Sequence, residues 1–258
     1  MTHLTLPLND LDVESLERAT LDAVAPAFLE AIEGWLLPFD TSTIGRAKSA
    51  VPLRHHRLPE ESIATILKRY DVHVVPAAFR VADLPALAPI HAALRQQGFL
   101  PEQPTLVQVG SVSATLQLAC DTPAPVFDQP TRPWAAVYTA PGFDPVDGAH
   151  RVQALSRSPC IVYAVVNEDC GPVASGTASI SRGWAGIHGM RTIHERRRQA
   201  LATRVLVGLA GHAHSQNIER MFLQAEEENA GALALYRRAG FVTAWRYHYW
   251  RRPKADRD

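Results

Sequence analysis

Residues 160–193 constrain this chain more tightly than any other stretch, because three runs of strand-forming residues are separated there by only two short turns. The first run, Cys160-Ile161-Val162-Tyr163-Ala164-Val165-Val166, is rich in β-branched side chains and predicts a strand. Glu168-Asp169-Cys170-Gly171 then supplies a turn, residues 173–181 a second strand, Arg182-Gly183 another turn, and residues 184–193 a third strand. Strands joined this closely run antiparallel, since a parallel crossover needs a dozen residues or more. The second half of the chain is therefore built on an antiparallel meander.

Helix and strand alternate on either side of that meander. Leu201, Val205, Leu209 and Ala213, spaced four apart, predict a helix over residues 199–215. A strand over 221–226, a helix over 230–239 with Gly240 as its left-handed cap, and a last strand over 241–250 follow. Residues 133–140 and 147–157 read as helix or loop. In the first half, residues 12–35 carry helical spacing and run into the apolar strand Trp35-Leu36-Leu37. Residues 44–53 read as a second strand, and Pro59-Glu60-Glu61 opens a helix with Ile63, Ile66 and Leu67 on one face. A strand over 74–81, a helix over 83–97 stopped by Gly98 and a strand over 105–118 complete it.

At 258 residues the chain has room for two domains of ordinary size. The segment Ala93-Leu94-Arg95-Gln96-Gln97-Gly98-Phe99 matches Leu235-Tyr236-Arg237-Arg238-Ala239-Gly240-Phe241, a helix ending at Gly-Phe before a strand in each. This reads as a degenerate internal repeat. Pro123, Pro125, Pro130 and Pro133 cluster where the halves would join, so the expected domains are 1–120 and 121–258.

Equal numbers of basic and acidic residues, 26 of each, remove any global pull toward nucleic acid or an anionic membrane. Cys120, Cys160 and Cys170 lack C-x-x-C spacing, so neither a disulfide framework nor a zinc site is expected, and His212 and His214 point different ways on a helix. No apolar run approaches the roughly 18 residues that span a bilayer, and residues 1–10 carry no basic leader. A cytoplasmic protein without metal is the expectation.

Two segments carry the chemistry. Arg197-Arg198-Gln199-Ala200-Leu201-Ala202 opens a helix straight after the meander and reads R-x-x-A-x-A. Unpaired N–H groups and the positive end of the helix dipole converge there on a spot suited to a pyrophosphate, with Arg197 and Arg198 adding charge. Further on, Asn229 to Phe241 reads N-x-x-A-x-x-L-Y-x-x-x-G-F, with Asn229, Ala232, Leu235, Tyr236, Gly240 and Phe241 at the fixed positions. Asn229 and Tyr236, seven apart, lie near one face of their helix and can reach one extended ligand.

In their order and separation these segments resemble the signature of the GNAT superfamily of N-acetyltransferases, Q/R-x-x-G-x-G/A, over roughly residues 130–250. The resemblance implies an α/β protein of the α+β type with tandem GNAT-like domains, each a twisted, mixed, mainly antiparallel sheet flanked by helices. It implies acetyl-CoA as cofactor, held by the backbone of Met190, Arg191 and Thr192, by Arg197, Arg198, Gln199, Ala200, Leu201 and Ala202, and by Asn229, Ala232 and Tyr236. It also implies that Tyr236 protonates the departing thiolate. The first half has Leu87 and Leu94 where the second has Asn229 and Tyr236, so it is expected to be the degenerate partner.

The amine acceptor must lose a proton, and Gln224, where some relatives carry a catalytic Glu, cannot take it. Glu226 and His188 are the candidates for that base, each with a structural role as the alternative. Trp35 and Trp184 are candidates to border the acceptor pocket. The arginine run also suits a plain solvated loop, and Tyr236 a core aromatic. The implied function is acetyl transfer from acetyl-CoA to a primary amine on a small molecule or peptide, by a monomer or homodimer without nucleic-acid or membrane partners. A non-catalytic acyl-CoA-binding or protein-interaction module is the alternative, suggested by Ala200 where the family usually has Gly.

Overall fold

The computed structural model describes residues 6–253; the leader reading at residues 1–5 lies outside them. Helix α1 (Asp10–Val24) starts where the Asn9 side chain accepts a 2.9 Å hydrogen bond from Asp12 N, with Asp10 and Asp12 favourably placed in its first turn. It stops at Ala25, which is left-handed and precedes Pro26. The expected helix over residues 12–35 is therefore too long. Residues 28–39 instead form a hairpin of β1 (Phe28–Ile32) and β2 (Trp35–Phe39), turned by Glu33 and Gly34 at φ 49° and 83°.

The strand expected over 44–53 shrinks to β3 (Val51–Pro52), preceded by a 3₁₀ turn at Gly45–Ala47 whose Ala47 is buried against α1. Helix α2 (Ser62–Val72) follows, then β4 (Phe79–Ala82), shorter than expected because Val74 is left-handed and Pro76 has no N–H to pair. Helix α3 (Ala88–Gln96) leads into β5 (Leu100–Ser111), which ends where Ser111 caps the short helix α4 (Val112–Thr115).

The proline-rich segment 123–133 is folded onto the body: it holds β6 (Val126–Phe127), and Ala124 N donates to Arg204 O. Helices α5 (Arg132–Tyr138) and α6 (Pro145–Arg157) precede the meander of β7 (Ile161–Glu168), β8 (Gly171–Ser181) and β9 (Trp184–Thr192). Then come α7 (Leu201–Ser215), β10 (Arg220–Glu226), α8 (Ala230–Arg238) and β11 (Val242–Arg251).

Strands β1 to β3 form a small sheet, and the other eight form one sheet in the order β4-β11-β5-β10-β9-β8-β7-β6. Among these eight, only β9 and β10 pair in parallel. The unit β4–α3–β5 recurs as β10–α8–β11, and the two units interleave: β11 lies between β4 and β5, and β5 lies between β11 and β10. Both helices end alike. Phe99 N donates to Leu94 O at 3.0 Å and Phe241 N to Tyr236 O at 2.9 Å, across Gly98 and Gly240 at φ 78° and 83°.

Helices α7 and α8 cover one face of the sheet, where Val205, Leu209, Leu235 and Tyr236 meet Ala185, Ile187, Met221 and Leu223. The opposite face carries α1, α5 and α6, with Leu16 near Trp184 and Phe222, and Trp134 and Tyr138 against Tyr163 and Val165. Each fully buried aliphatic side chain contributes about 2 kcal/mol of transfer free energy to these layers. Among the described residues, no helix is long and apolar enough to cross a membrane.

Candidate active site

The sheet opens at its single parallel pair. Strands β9 and β10 are bonded from Trp184↔Arg220 to Ile187↔Leu223, and beyond that point they diverge. Residues 188–192 pair only with β8, and residues 224–226 only with β5. The result is a wedge whose apex lies between His188 and Gln224.

A bulge in β9 deepens the wedge. Thr177 faces His188 and Ser175 faces Arg191, so Gly176 alone opposes both Gly189 and Met190. Gly189 sits at φ 61°, and a Cβ there would lie 2.3 Å from the Tyr138 hydroxyl, so both the turn and the contact require glycine. That hydroxyl donates a 2.6 Å hydrogen bond to Gly189 O. In a trans peptide the N–H opposes the C=O, so Met190 N–H is aimed away from α5 and toward the α7/α8 face. The Met190 side chain goes the same way: a Cβ on Gly176 would lie 2.5 Å from its sulfur and 2.9 Å from Val205 of α7.

The start of α7 lies beyond the far end of β9. Its N-cap, Ala200, offers no side-chain bond, so the first-turn amides are left for another acceptor. The chain turns sharply just before the helix: Arg197 is extended, and Arg198 at φ 62° and Ala200 at φ 56° are left-handed. Residues 197–200 are exposed, and among the described residues the guanidinium groups of Arg197 and Arg198 have no hydrogen bond or ion pair. Gln199 Oε1 accepts from Arg196 Nε at 2.9 Å, and Leu201 is buried as the anchor of α7. A hollow of about 290 Å³ lined by Cys120, Asp121, Thr122, Ala200, Thr203 and Arg204 adjoins this turn.

Helix α8 presents Tyr236 to the same face. Its ring is 6% exposed and 6.0 Å from that of Phe241, and burial pushes its pKa up to about 12. Its hydroxyl has no hydrogen-bond partner among the described residues. Asn229 caps α8, its Oδ1 accepting from Ala232 N at 3.1 Å, so the Ala232 amide is already engaged. Arg191 is a tether: its guanidinium donates to Tyr138 O at 2.8 Å and to Asp147 at 2.6 Å, leaving only its backbone for a ligand.

The two base candidates are not brought together. His188 is 2% exposed at the wedge apex, with Nε2 3.2 Å from Ser179 Oγ and Nδ1 without a partner. Burial holds its pKa well below 6.5, so the ring is neutral. Glu226 lies exposed at the outer end of β10 and accepts from Gln103 Nε2 at 2.8 Å. Gln224 is engaged at both ends of its amide, donating to Thr20 Oγ1 at 3.1 Å and accepting from Tyr247 OH at 3.0 Å. Trp184 donates to Ser15 Oγ at 2.9 Å and Trp35 is fully buried in the core; both pack and neither borders open space. Reading the sequence missed Gly189 and Tyr138; a glycine inside a confident strand was the available signal for the bulge.

The comparisons with known proteins bear on the whole of this geometry. Residues 11–250 match the family model described as "Probable histone acetyltransferase Rv0428c C-terminal". The "Uncharacterized N-acetyltransferase YobR" of Bacillus subtilis (strain 168) is 32% identical over 91 residues, which are 35% of this chain and 37% of that protein. Among solved structures, a GCN5-related N-acetyltransferase from Kribbella flavida superposes with a TM-score of 0.69 at 15% identity, over 93% of this chain and 95% of that one. A tandem GNAT protein from the clavulanic acid biosynthesis pathway superposes with a TM-score of 0.60 at 13% identity, over 96% and 98%.

Proposed function

Because this chain belongs to the family described as "Probable histone acetyltransferase Rv0428c C-terminal" and has the fold of the GNAT acyltransferases, we propose that it transfers acetyl from acetyl-CoA to a primary amine. Acyl-CoA use goes with the family; the acetyl donor and the amine acceptor are our reading. The observation that carries it is the wedge at Gly189–Met190, with an uncapped helix N-terminus beyond its far end and Tyr236 on the face into which Met190 N–H points.

The residues present fit the donor. The uncapped first-turn amides of α7 and the free guanidinium groups of Arg197 and Arg198 suit a pyrophosphate, and the unpaired edge of β9 over 190–192 suits an amide-bearing arm. When bound, acetyl-CoA supplies an acetyl group carried as a thioester, so that the amine nitrogen is acetylated and CoA thiol is set free. Met190 N–H is a fixed donor for charge developing on a carbonyl oxygen, held by the bond from Tyr138 to the preceding carbonyl. Tyr236 keeps its proton at every ordinary pH, so its hydroxyl is suited to donate a hydrogen bond to a leaving thiolate as charge develops on sulfur, not to take a proton from the amine. Neutral His188, at the wedge apex, is better placed than Glu226 to begin a proton path from the acceptor.

We read residues 1–120 and 121–258 as two GNAT-like halves joined by exchange of their last strands, the second holding the cofactor, in a cytoplasmic protein. The non-catalytic alternative is separated by one assay: release of free thiol from acetyl-CoA only when an amine is supplied. Tyr236→Phe is expected to lower kcat about 100-fold. Arg197→Ala is expected to raise the KM for acetyl-CoA several-fold with little change in kcat. Unchanged acetyl-CoA affinity in Arg197→Ala would contradict the phosphate assignment.

A further inference from the structure

Resting on that reading, we infer that the acceptor is an amine that also carries a carboxylate, and that Arg46 is the residue that binds this carboxylate beside the wedge. The 3₁₀ turn Gly45–Ala47 is held rigidly: Ile44 and Ala47, 4% and 0% exposed, pack with Leu21 and Val24 of α1 and Ala154 of α6. Its Gly45 presses on β11 so closely that a Cβ would lie 2.7 Å from the Tyr249 ring. Arg46, next in the chain, is half-buried, and among the described residues its guanidinium has no hydrogen bond or ion pair.

The charge on Arg46 bears on three buried groups, Glu17 of α1, His188 of β9 and Tyr247 of β11. A Cβ on Gly45 would lie 2.9 Å from the Tyr249 hydroxyl, that hydroxyl lies 3.4 Å from the one of Tyr247, and Tyr247 donates to Gln224 at 3.0 Å, so the turn that carries Arg46 sits beside the wedge apex on the α1 face, where Gln224 reaches Thr20. The core beside that turn has donors to spare, on the residue that pairs with Tyr249 across β4 and β11. Arg80, 1% exposed, uses Nη2 on Glu17 at 2.6 Å and leaves Nε and Nη1 without partners. The acceptor oxygen of Gln224 is already taken by Tyr247, and His188 adds no charge.

Two guanidinium groups against one carboxylate make this neighbourhood positive, and the half-buried guanidinium of Arg46 offers N–H donors in a fork that suits a carboxylate. An ammonium-rich peptide would meet repulsion there, whereas an amino acid would be anchored by its carboxylate with its amine directed to the wedge. Desolvated recognition of this kind strongly rejects the analogue that lacks the group.

The test compares L-phenylalanine with phenethylamine, L-lysine with cadaverine, and a lysine-rich peptide, in the thiol-release assay with the full chain, wild type, Arg46→Gln and Arg46→Lys. The expected result is a preference of about 100-fold in kcat/KM for the carboxylate-bearing amine, expressed in its KM, erased by Arg46→Gln and partly kept by Arg46→Lys. Arg46→Gln should leave the KM for acetyl-CoA where it was. Equal use of the amine with and without its carboxylate, preference for the peptide, or an unaltered preference in Arg46→Gln overturns the inference. If no amine releases thiol, the acetyl-transfer reading fails instead, and calorimetry with the same amino acids decides the anion site. Binding that is lost in Arg46→Gln supports it, and no binding to the wild type overturns it.

Discussion

At the scale of single residues, Ala200 and Gly189 make the same point from opposite sides. Both occupy left-handed backbone, but Gly189 meets the need without cost and Ala200 does not. The strain at Ala200 is about 1–2 kcal/mol, partly offset by the extra chain entropy a glycine would lose on folding. Ala200→Gly should therefore raise stability by about 0.5–1 kcal/mol in urea titrations and tighten acetyl-CoA binding. A loss of stability would show that the methyl has packing value of its own. Tyr138 matters through Gly189. Tyr138→Phe removes one hydrogen bond from a half-buried carbonyl, costs about 1 kcal/mol, and frees the peptide that aims Met190 N–H. Its kcat should fall more than its acetyl-CoA KM rises, since the phosphate site proposed at 197–202 is untouched.

At the scale of elements, the packing of helices and loops on the sheet has written a pH dependence into the fold. Burial lowers the pKa of His188 on β9, of His248 on β11, of His91 on α3 and of His55 after β3, the last to about 4. Below about 6.5 the unfolded chain takes up protons that these folded rings refuse, so stability falls with falling pH. Each ring contributes a slope of at most about 1.4 kcal/mol per pH unit, until its folded value is reached. Carboxylates act lower down: Arg69 and His73 hold Glu30 at about 2, and such a group stabilises above about 4 and loses that contribution only below it. In the window from pH 6.5 to 4.5 the four histidines act together, against the buried carboxyl of Glu17, whose pKa burial raises and which therefore works in the opposite sense. The urea midpoint should drop clearly between pH 7.0 and 5.0, and less so in His55→Phe; equal midpoints would contradict the burial argument.

At the scale of the whole molecule, the interleaved order β4-β11-β5-β10 ties the two halves together more closely than a linker could. Separating residues 1–120 from 121–258 strips β11 of both its neighbours and exposes unpaired edges on β10, β5 and β4. The full chain should unfold in one cooperative transition, and either half expressed alone should be insoluble or lack fixed structure. Co-expressed, the halves should recover a soluble complex. Two separated calorimetric transitions would show that the strand exchange is not what holds the halves together.

The sequence by itself determined the features whose physics is local. The meander, α7, α8 and the Gly-Phe helix ends were legible because strand propensity, helical spacing and the left-handed cap act over a few residues. For the same reason the Leu87/Asn229 and Leu94/Tyr236 asymmetry could be read directly. Local pattern also misled where it ran past a breaker, as in the helix carried through Pro26 and the strand carried through Pro76. Only the tertiary structure decided which strands pair, where the wedge opens, which carbonyl Tyr138 holds and that the Gly45 turn presses on Tyr249. Those outcomes depend on surfaces brought together from far along the chain, and a strand's sequence states which face it buries but not which strand will lie beside it.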